Sequence, residues 1–537
     1  MKVLMLSANR ERSPYPVFPL GLAFLAGPLR KAGYQLLALD LCFEADPHDA
    51  LLCLLELEHP DTVIISLRNL DNVTWPDARS YLNDLAELVL LCKGRARVIV
   101  GGSGFSLMPV EILAACGADM GVVGEGEELL PLLLERLEHG GELHDLPGVV
   151  LPGRHDFVPP RPVAGIGSPD RGLFDVERYL KDGGMLNLQT KRGCPFSCSY
   201  CTYPLLEGRS IRVRPVTEIV AEIRTLVIDH GVDYLYFVDD IFNYPVSFCE
   251  KLCRAILAEG LRFNWSAFIN PDFITPELIE LMQRAGCDAV EFGTDSGSPG
   301  MLRSLGKSFN VGQIRSASEL CRKSGLDFAH YVIFGGPGET EASIMETFSL
   351  MDELQPTAVI TMTGLRIYPG TALYDTALQE GVITRDTDLL QPVFYLAPEV
   401  RDSIRSLVTE QAMQRKNWIV PGLEVNISDA MLDALRIFDE ENRDGEGEEP
   451  AWEEDESVDA AFAAEPSAAS SAIELSADDL GLGELDQLER KIPEVFASIE
   501  VVDPGAAHRK LLDDLWPAAA AADRGRMVDF LTRLVPS

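Results

Sequence analysis

Positive charge is what this chain has least of. Against 84 Asp and Glu stand 46 Lys and Arg, a formal charge of −38 over 537 residues. Such a surface repels phosphate backbones, so general nucleic-acid binding is disfavoured. Long apolar runs are missing too. No stretch reaches the roughly 18 residues a membrane span needs, and none is expected. The opening stretch MKVLMLSANRERSPYP lacks the basic flank, apolar core and small-residue cleavage site of a signal peptide. A soluble, cytoplasmic protein is the expectation. Cysteines are few and odd in number, 11 in all, which does not suit a secreted disulfide framework. Eight of them (Cys42, Cys53, Cys92, Cys116, Cys249, Cys253, Cys287 and Cys321) lie singly or at helical spacing. They read as reduced core or surface thiols.

Apolar residues, at 46%, are ample for ordinary cores. The length allows about three domains of ~150 residues. Over residues 1–150 apolar strand runs such as KVLMLS, QLLALD, TVIISL and RVIVGG alternate with helical patterns. That alternation predicts a parallel, doubly wound, Rossmann-like α/β domain. Ligands of such sheets bind at the carboxyl ends of the strands. Those ends supply Ser7, the Ser66–Asn69 stretch (Ser66, Leu67, Arg68, Asn69), Gly102, Ser103 and Gly104, and Gly124, Glu125, Gly126 and Glu127.

Residues 151–182 are rich in Pro and Gly and read as a connector with little structure. From 183 to 400 the alternation resumes, with probable strands LNLQTK, YLYFVDD, FNWSAFI, AVEFGTD, FAHYVIFGG and AVITMTGLRIY. They predict a partial or full β/α barrel, whose chemistry would sit at the strand C-termini. Residues 401–438 look helical. Between Asp439 and Asp459 lie twelve acids and one Arg, and an Ala/Ser/Pro-rich stretch follows. Residues 439–472 are therefore expected to be a disordered linker, and 473–537 a small helical appendage.

The stretch KRGCPFSCSYC concentrates what is otherwise scarce. Cys194, Cys198 and Cys201 are spaced C-x3-C-x2-C directly after a predicted strand. Thiolates favour zinc or iron–sulfur clusters. A structural zinc site wants four ligands, and the nearest following His is His230. A cubane held by three thiolates leaves one iron open to a substrate. A zinc knuckle completed from elsewhere, or three plain thiols, are the alternatives.

The triplet, with Tyr200 as the aromatic before its last cysteine, resembles the radical S-adenosylmethionine (SAM) superfamily over about 185–400. The resemblance implies a 4Fe–4S cluster on Cys194, Cys198 and Cys201, with SAM chelating the open iron. One electron, from a flavodoxin- or ferredoxin-like donor, would cleave SAM to a 5′-deoxyadenosyl radical. Other strand ends resemble the superfamily in order. YFVDDIFN places Asp239 and Asp240 where an acidic motif receives the SAM ammonium, the partner a carboxylate suits. EFGTDSGS places Asp295 and Ser296 where many members have Glu-Ser. VIFGGPGET places Gly335 and Gly336 at the turn beside the adenine. LRIYPGT offers Arg366 to the SAM carboxylate or a substrate acid.

A doubly wound domain ahead of such a core resembles the cobalamin-binding class of the superfamily. GGSGFS and VVGEGEE match the loops of that class in order. The D-x-H-x-x-G motif, whose His ligates cobalt in many cobalamin domains, is replaced here by SANRERSPYP. The lower face of the cobalamin would then meet Ser66–Asn72 or stay unligated. The resemblance implies a methyltransferase acting on an unactivated carbon of a small-molecule, lipid or peptide substrate. Cyclisation or rearrangement without methyl transfer is the alternative, and a non-enzymatic metal-binding scaffold a third. FYLAP and RKNWIVPG read as core, with a lid as the other possibility.

Overall fold

The structure is a computed structural model that describes residues 1–12, 15–423 and 425. The expected linker and appendage, and residues 426–438, lie outside those residues.

The first sheet is built from β1 (Lys2–Ser7), β2 (Gln35–Asp40), β3 (Thr62–Ser66), β4 (Arg97–Gly101), β5 (Met120–Val122) and β6 (Val149–Val150). Its order is β2-β1-β3-β4-β5-β6, parallel except for β6. Val3–Leu6, Val63–Ile65 and Val98–Val100 are buried throughout. A strand covered on both faces needs apolar residues at successive positions, which is why these runs do not alternate. The chain reverses its direction of winding between β1 and β3. A crevice opens beyond the carboxyl ends at such a switch point.

The second sheet begins with β7 (Leu186–Leu188). A small antiparallel ribbon follows, β8 (Lys191–Arg192) with β9 (Arg212–Val213). Then come β10 (Tyr234–Phe237), β11 (Asn264–Ile269), β12 (Cys287–Asp295), β13 (Asp327–Phe334) and β14 (Ala358–Thr363). A second ribbon pairs β15 (Leu365–Arg366) with β16 (Phe394–Tyr395), and β17 is Trp418–Ile419. The sheet runs β17-β14-β13-β12-β11-β10-β7, all parallel, with β7 and β17 left as edges. It is a partial barrel.

Three local expectations are corrected. LNLQTK is not one strand: Asp239 accepts from the Thr190 and Lys191 amides and turns the chain between β7 and β8. AVITMTGLRIY breaks at Gly364, whose φ is +75°. The connector carries a short 3-10 turn (Arg171–Leu173) and the helix Val176–Gly183. Its order comes from single anchors, which leave no periodic signal. Buried Arg171 binds Glu222 at 2.7 Å and the Asn187 carbonyl at 2.6 Å. FYLAP and RKNWIVPG are core: Tyr395 and Trp418 are buried, and Trp418 stacks on Phe348 at 4.3 Å.

The turn after β4 is fixed by two glycines. Gly102 has φ +102°, and a Cβ there would lie 2.5 Å from the Leu67 carbonyl oxygen. A Cβ on Gly104 would lie 2.8 Å from the Asn69 carbonyl carbon. Their absence lets Gly104 donate to the Leu67 carbonyl at 3.0 Å and Ser103 Oγ to the Arg68 carbonyl at 2.6 Å. Gly102→Ala combines a left-handed φ with a backbone clash and should cost about 3 kcal/mol or more. Gly33→Ala, at φ +90° with open space around it, should cost only about 1 kcal/mol. Denaturant titration of the two variants measures the difference.

Candidate active site

The strand ends of both sheets meet across an open cleft of about 1610 Å³, counting its solvent-facing mouth. From the first domain it is lined by Ser7, Ser66, Arg68, Gly102 and Ser103, and by Gly124 through Glu127. From the second come Asn187, Gln189, Arg192, Tyr203 and Glu207. Of the expected cobalamin residues, Leu67, Asn69 and Gly104 do not reach the cleft. They form the braced contact just described.

Glu125 and Glu127 face the cleft but are already engaged. Arg192 binds Glu125 at 3.0 Å and Glu127 at 2.7 Å, and Arg212 binds Glu125 at 2.7 Å. Burial acts to raise Glu125, but the Arg212 hydrogen bond and the Arg192 charge hold it below the ordinary carboxylate range. These acids fasten the two domains at the root of the cysteine loop. Arg68, by contrast, is exposed and has no ion pair among the described residues.

The cysteine loop is the excursion between β8 and β9. Gly193, at φ +95°, starts it where a Cβ would lie 2.3 Å from the Ser210 carbonyl oxygen. Cys194 N donates to Gly208 O at 3.0 Å and Ser199 N to Leu305 O at 2.9 Å. Cys194 is buried, and Cys198 and Cys201 are half-buried. Burial, with the fields of Asp240 and Cys198, pushes the Cys194 thiol up to about 11. Burial and the neighbouring Cys198 push Cys201 to about 12. A bound cation would act the other way and favour the thiolates. Among the described residues no three His, Cys, Asp or Glu side chains converge as a site for a single ion. A four-iron cube takes its thiolates at separate corners and does not require that convergence.

The two expected SAM acids are separated by their surroundings. Asp239 is saturated: it accepts from Thr190 N at 2.6 Å, Thr190 Oγ1, and Lys191 Nζ at 2.7 Å. Asp240 Oδ2 is buried without a hydrogen-bond partner among the described residues. Burial and the Glu207 and Asp239 carboxylates push it up to about 8. Asp240 is the acid left free for a cation.

Asp295 is tied down as well. Its Oδ2 accepts from Tyr200 at 2.7 Å and pairs with Lys307 at 2.9 Å. Tyr200 thus clamps the cysteine loop to the end of β12. Ser296 bonds Thr347 at 3.1 Å inside the core. Gly335 and Gly336 allow close packing: added Cβ atoms would meet Leu396 at 2.9 Å and Met301 at 3.0 Å. Arg366 does not face the cysteines' ligand space. It is buried against Asp71 at 2.9 Å, and its remaining donors go to the carbonyls of Ile367, Val393 and Leu389. Lys307, Glu207 and Glu291 were missed. Lys307 and Glu207 stand in no quoted motif; Glu291 opens EFGTDSGS, a stretch read only for Asp295 and Ser296.

Two domain families match the two halves of the site. Residues 188–351 fit the radical SAM superfamily and residues 7–134 the B12 binding domain. The chain is a cobalamin-binding radical SAM protein. Its B12-binding and radical SAM domains imply cobalamin, SAM and a 4Fe–4S cluster as cofactors. An uncharacterized methyltransferase of Pyrococcus horikoshii is 27% identical over 403 residues, 73% of this chain and 86% of that protein. Tryptophan 2-C-methyltransferase of Streptomyces laurentii is 26% identical, covering 66% of this chain and 71% of its own. The solved structure of the radical SAM methyltransferase TsrM from Kitasatospora setae, with cobalamin and a [4Fe-4S] cluster bound, superposes with a TM-score of 0.71. It is 21% identical and the match covers 79% of this chain and 91% of that one, a likeness of fold. Among the described residues no helix is long and apolar enough to cross a membrane.

Proposed function

We propose that this radical SAM enzyme is a methyltransferase that uses cobalamin to methylate an unactivated carbon of a small molecule. The observation that carries it is one cleft shared by the B12-binding strand ends and by Arg192, Tyr203 and Glu207, which flank the three cysteines in the chain. The relatives named as methyltransferases support the reaction type. When bound, the cluster, SAM and cobalamin supply hydrogen abstraction from carbon and a methyl group to put in its place.

The chain's own residues have these roles. Cys194, Cys198 and Cys201 hold the cluster. Asp240, the unpartnered buried carboxyl beside them, receives the SAM ammonium. Asp295 and Lys307 keep Tyr200, and with it the loop, in one position. Gly335 and Gly336 form the turn beside the adenine. Ser7, Ser66 and Ser103, together with Arg68 and Gly124, offer small polar surfaces to the amide rim of cobalamin. The walls from both domains flank the space in which the reacting carbon would sit. The electron comes from a small flavodoxin- or ferredoxin-like donor.

The test is anaerobically reconstituted protein incubated with methyl-labelled SAM and a reductant. Label in the corrinoid fraction, with 5′-deoxyadenosine released, is the expected result. Deoxyadenosine with an unlabelled corrinoid would move the reading to cyclisation or rearrangement.

A further inference from the structure

The barrel lumen holds one acid the proposed function does not use. Glu291 sits mid-way along β12, paired in register with Phe268 of β11. On the same inner face stand Tyr236 of β10 and, two residues beyond the partner of Glu291, Tyr331 of β13. Tyr236 Oη donates to Glu291 Oε2 at 3.2 Å, and the Tyr331 hydroxyl also bonds this carboxyl. Phe268 lies between the two phenols, 6.3 Å from the Tyr236 ring and 4.9 Å from the Tyr331 ring. These side chains lie deep in the barrel yet keep part of their surface open to the lumen.

What Glu291 lacks is a cation. Three other acids of the barrel have one: Asp239 has Lys191, Asp295 has Lys307, and Glu222 has Arg171 and Arg214. Asp240, beside the cysteines, shares the lack but has no aromatic hydroxyl on it among the described residues. Among the described residues Glu291 has only phenols. A carboxyl walled by aromatic rings is the composition that receives a nitrogen cation, by charge-assisted hydrogen bond and by the negative faces of the rings. The place also fits. Four residues along the same strand lies Asp295, which holds Tyr200 in the cysteine loop. At ~3.3 Å per residue the two positions are about 13 Å apart along the strand. On the other side, Tyr15 from the loop after β1 stands within the fields of both Glu291 and Arg68. Tyr15 thus lies between Glu291 and Arg68, a residue that lines the cleft.

We infer that Glu291, Tyr236, Phe268 and Tyr331 form the substrate-recognition site, and that it takes a nitrogen base as its protonated cation. The inference rests on the lumen facing the proposed reaction centre. Burial raises Glu291 to about 7, with the Tyr331 and Tyr236 hydrogen bonds acting against it. A bound cation stabilises the carboxylate and pulls that value down. Binding should therefore tighten as pH rises through about 7 and release a proton. The groups facing Glu291 are phenols from β10, β13 and the Tyr15 loop, all raised far above this range, so they do not titrate with it.

The experiment is equilibrium dialysis of the reconstituted holoenzyme with three probes of one shape: 2-phenylethylamine, 2-phenylethanol and 3-phenylpropionate. The amine should bind about 10- to 100-fold more tightly than the alcohol, and the acid most weakly. Glu291→Gln should erase that preference, and Tyr331→Phe should reduce it several-fold. Equal binding of amine and alcohol, no amine binding up to about 10 mM, or a preference that survives Glu291→Gln would overturn the inference. Dialysis needs no turnover. Selective amine binding with 5′-deoxyadenosine release and an unlabelled corrinoid would support the Glu291 site and sink the methyltransferase reading; a labelled corrinoid without amine preference would sink the Glu291 site alone.

Discussion

Cys198→Ala is expected to leave a folded protein without its iron–sulfur cluster and without detectable SAM cleavage. Two thiolates cannot hold a cube whose fourth corner must stay open for SAM. The side chain is half-buried, so its removal opens little cavity. The loop stays fixed by backbone bonds that alanine retains, Ser199 N to Leu305 O at 2.9 Å and Cys201 N to Cys198 O at 3.3 Å. The loss should therefore be chemical and not structural. Iron and sulfide content, the visible absorbance of the cluster and 5′-deoxyadenosine formation are the measurements. Cys53→Ala is the control, an exposed thiol on the helix Pro47–Glu58, and should change none of them. Full iron and sulfide in Cys198→Ala would remove this cysteine from the ligand set, and the proposed mechanism with it.

That prediction was legible from the start because the cysteine triplet is local. Its three sulfurs lie in one loop, and spacing alone brings them together. The doubly wound domain was legible for a similar reason: buried parallel strands need unbroken apolar runs, and the small residues after them mark their ends. Long-range partners were hidden. Asp239 and Asp240 are neighbours in sequence and look alike, yet Thr190 and Lys191 saturate the first and leave the second free. Glu125 and Glu127 look like ligand acids until Arg192 and Arg212 approach from the other domain. Glu291 opens the stretch EFGTDSGS but lies mid-strand, and nothing in that stretch alone shows that phenols from β10 and β13 will meet it. An arginine at a strand end reads the same whether it meets a ligand or an acid far back in the chain.

Arg366 is the second kind, and breaking its pair should cost the fold dearly. It meets Asp71 across a sequence separation of 295 residues, with side chains 1% and 0% exposed. The guanidinium also donates to three carbonyls and lies 4.7 Å from the Tyr368 ring, while Asp71 Oδ1 accepts from Val73 N at 3.0 Å. Two desolvated charges with such a full set of partners make removal of either one expensive. Asp71→Ala leaves a buried guanidinium without its counter-charge, and a loss of about 3–5 kcal/mol is expected. In a domain of this size that lowers Tm by roughly 10 °C. Arg366→Ala should lose a similar amount. The double variant should lose clearly less than the sum, because the second change removes the charge the first left stranded. Function should follow the same bond. Asp71 lies in the loop after β3 that carries Arg68 into the cleft, so cobalamin retention should fall in Asp71→Ala even at temperatures where the variant is folded. Calorimetry of the three variants, with the corrinoid content of each after gel filtration, measures both effects. A Tm within about 2 °C of the parent in Asp71→Ala would mean that the pair contributes little to stability, and the two domains would need another fastening at this edge.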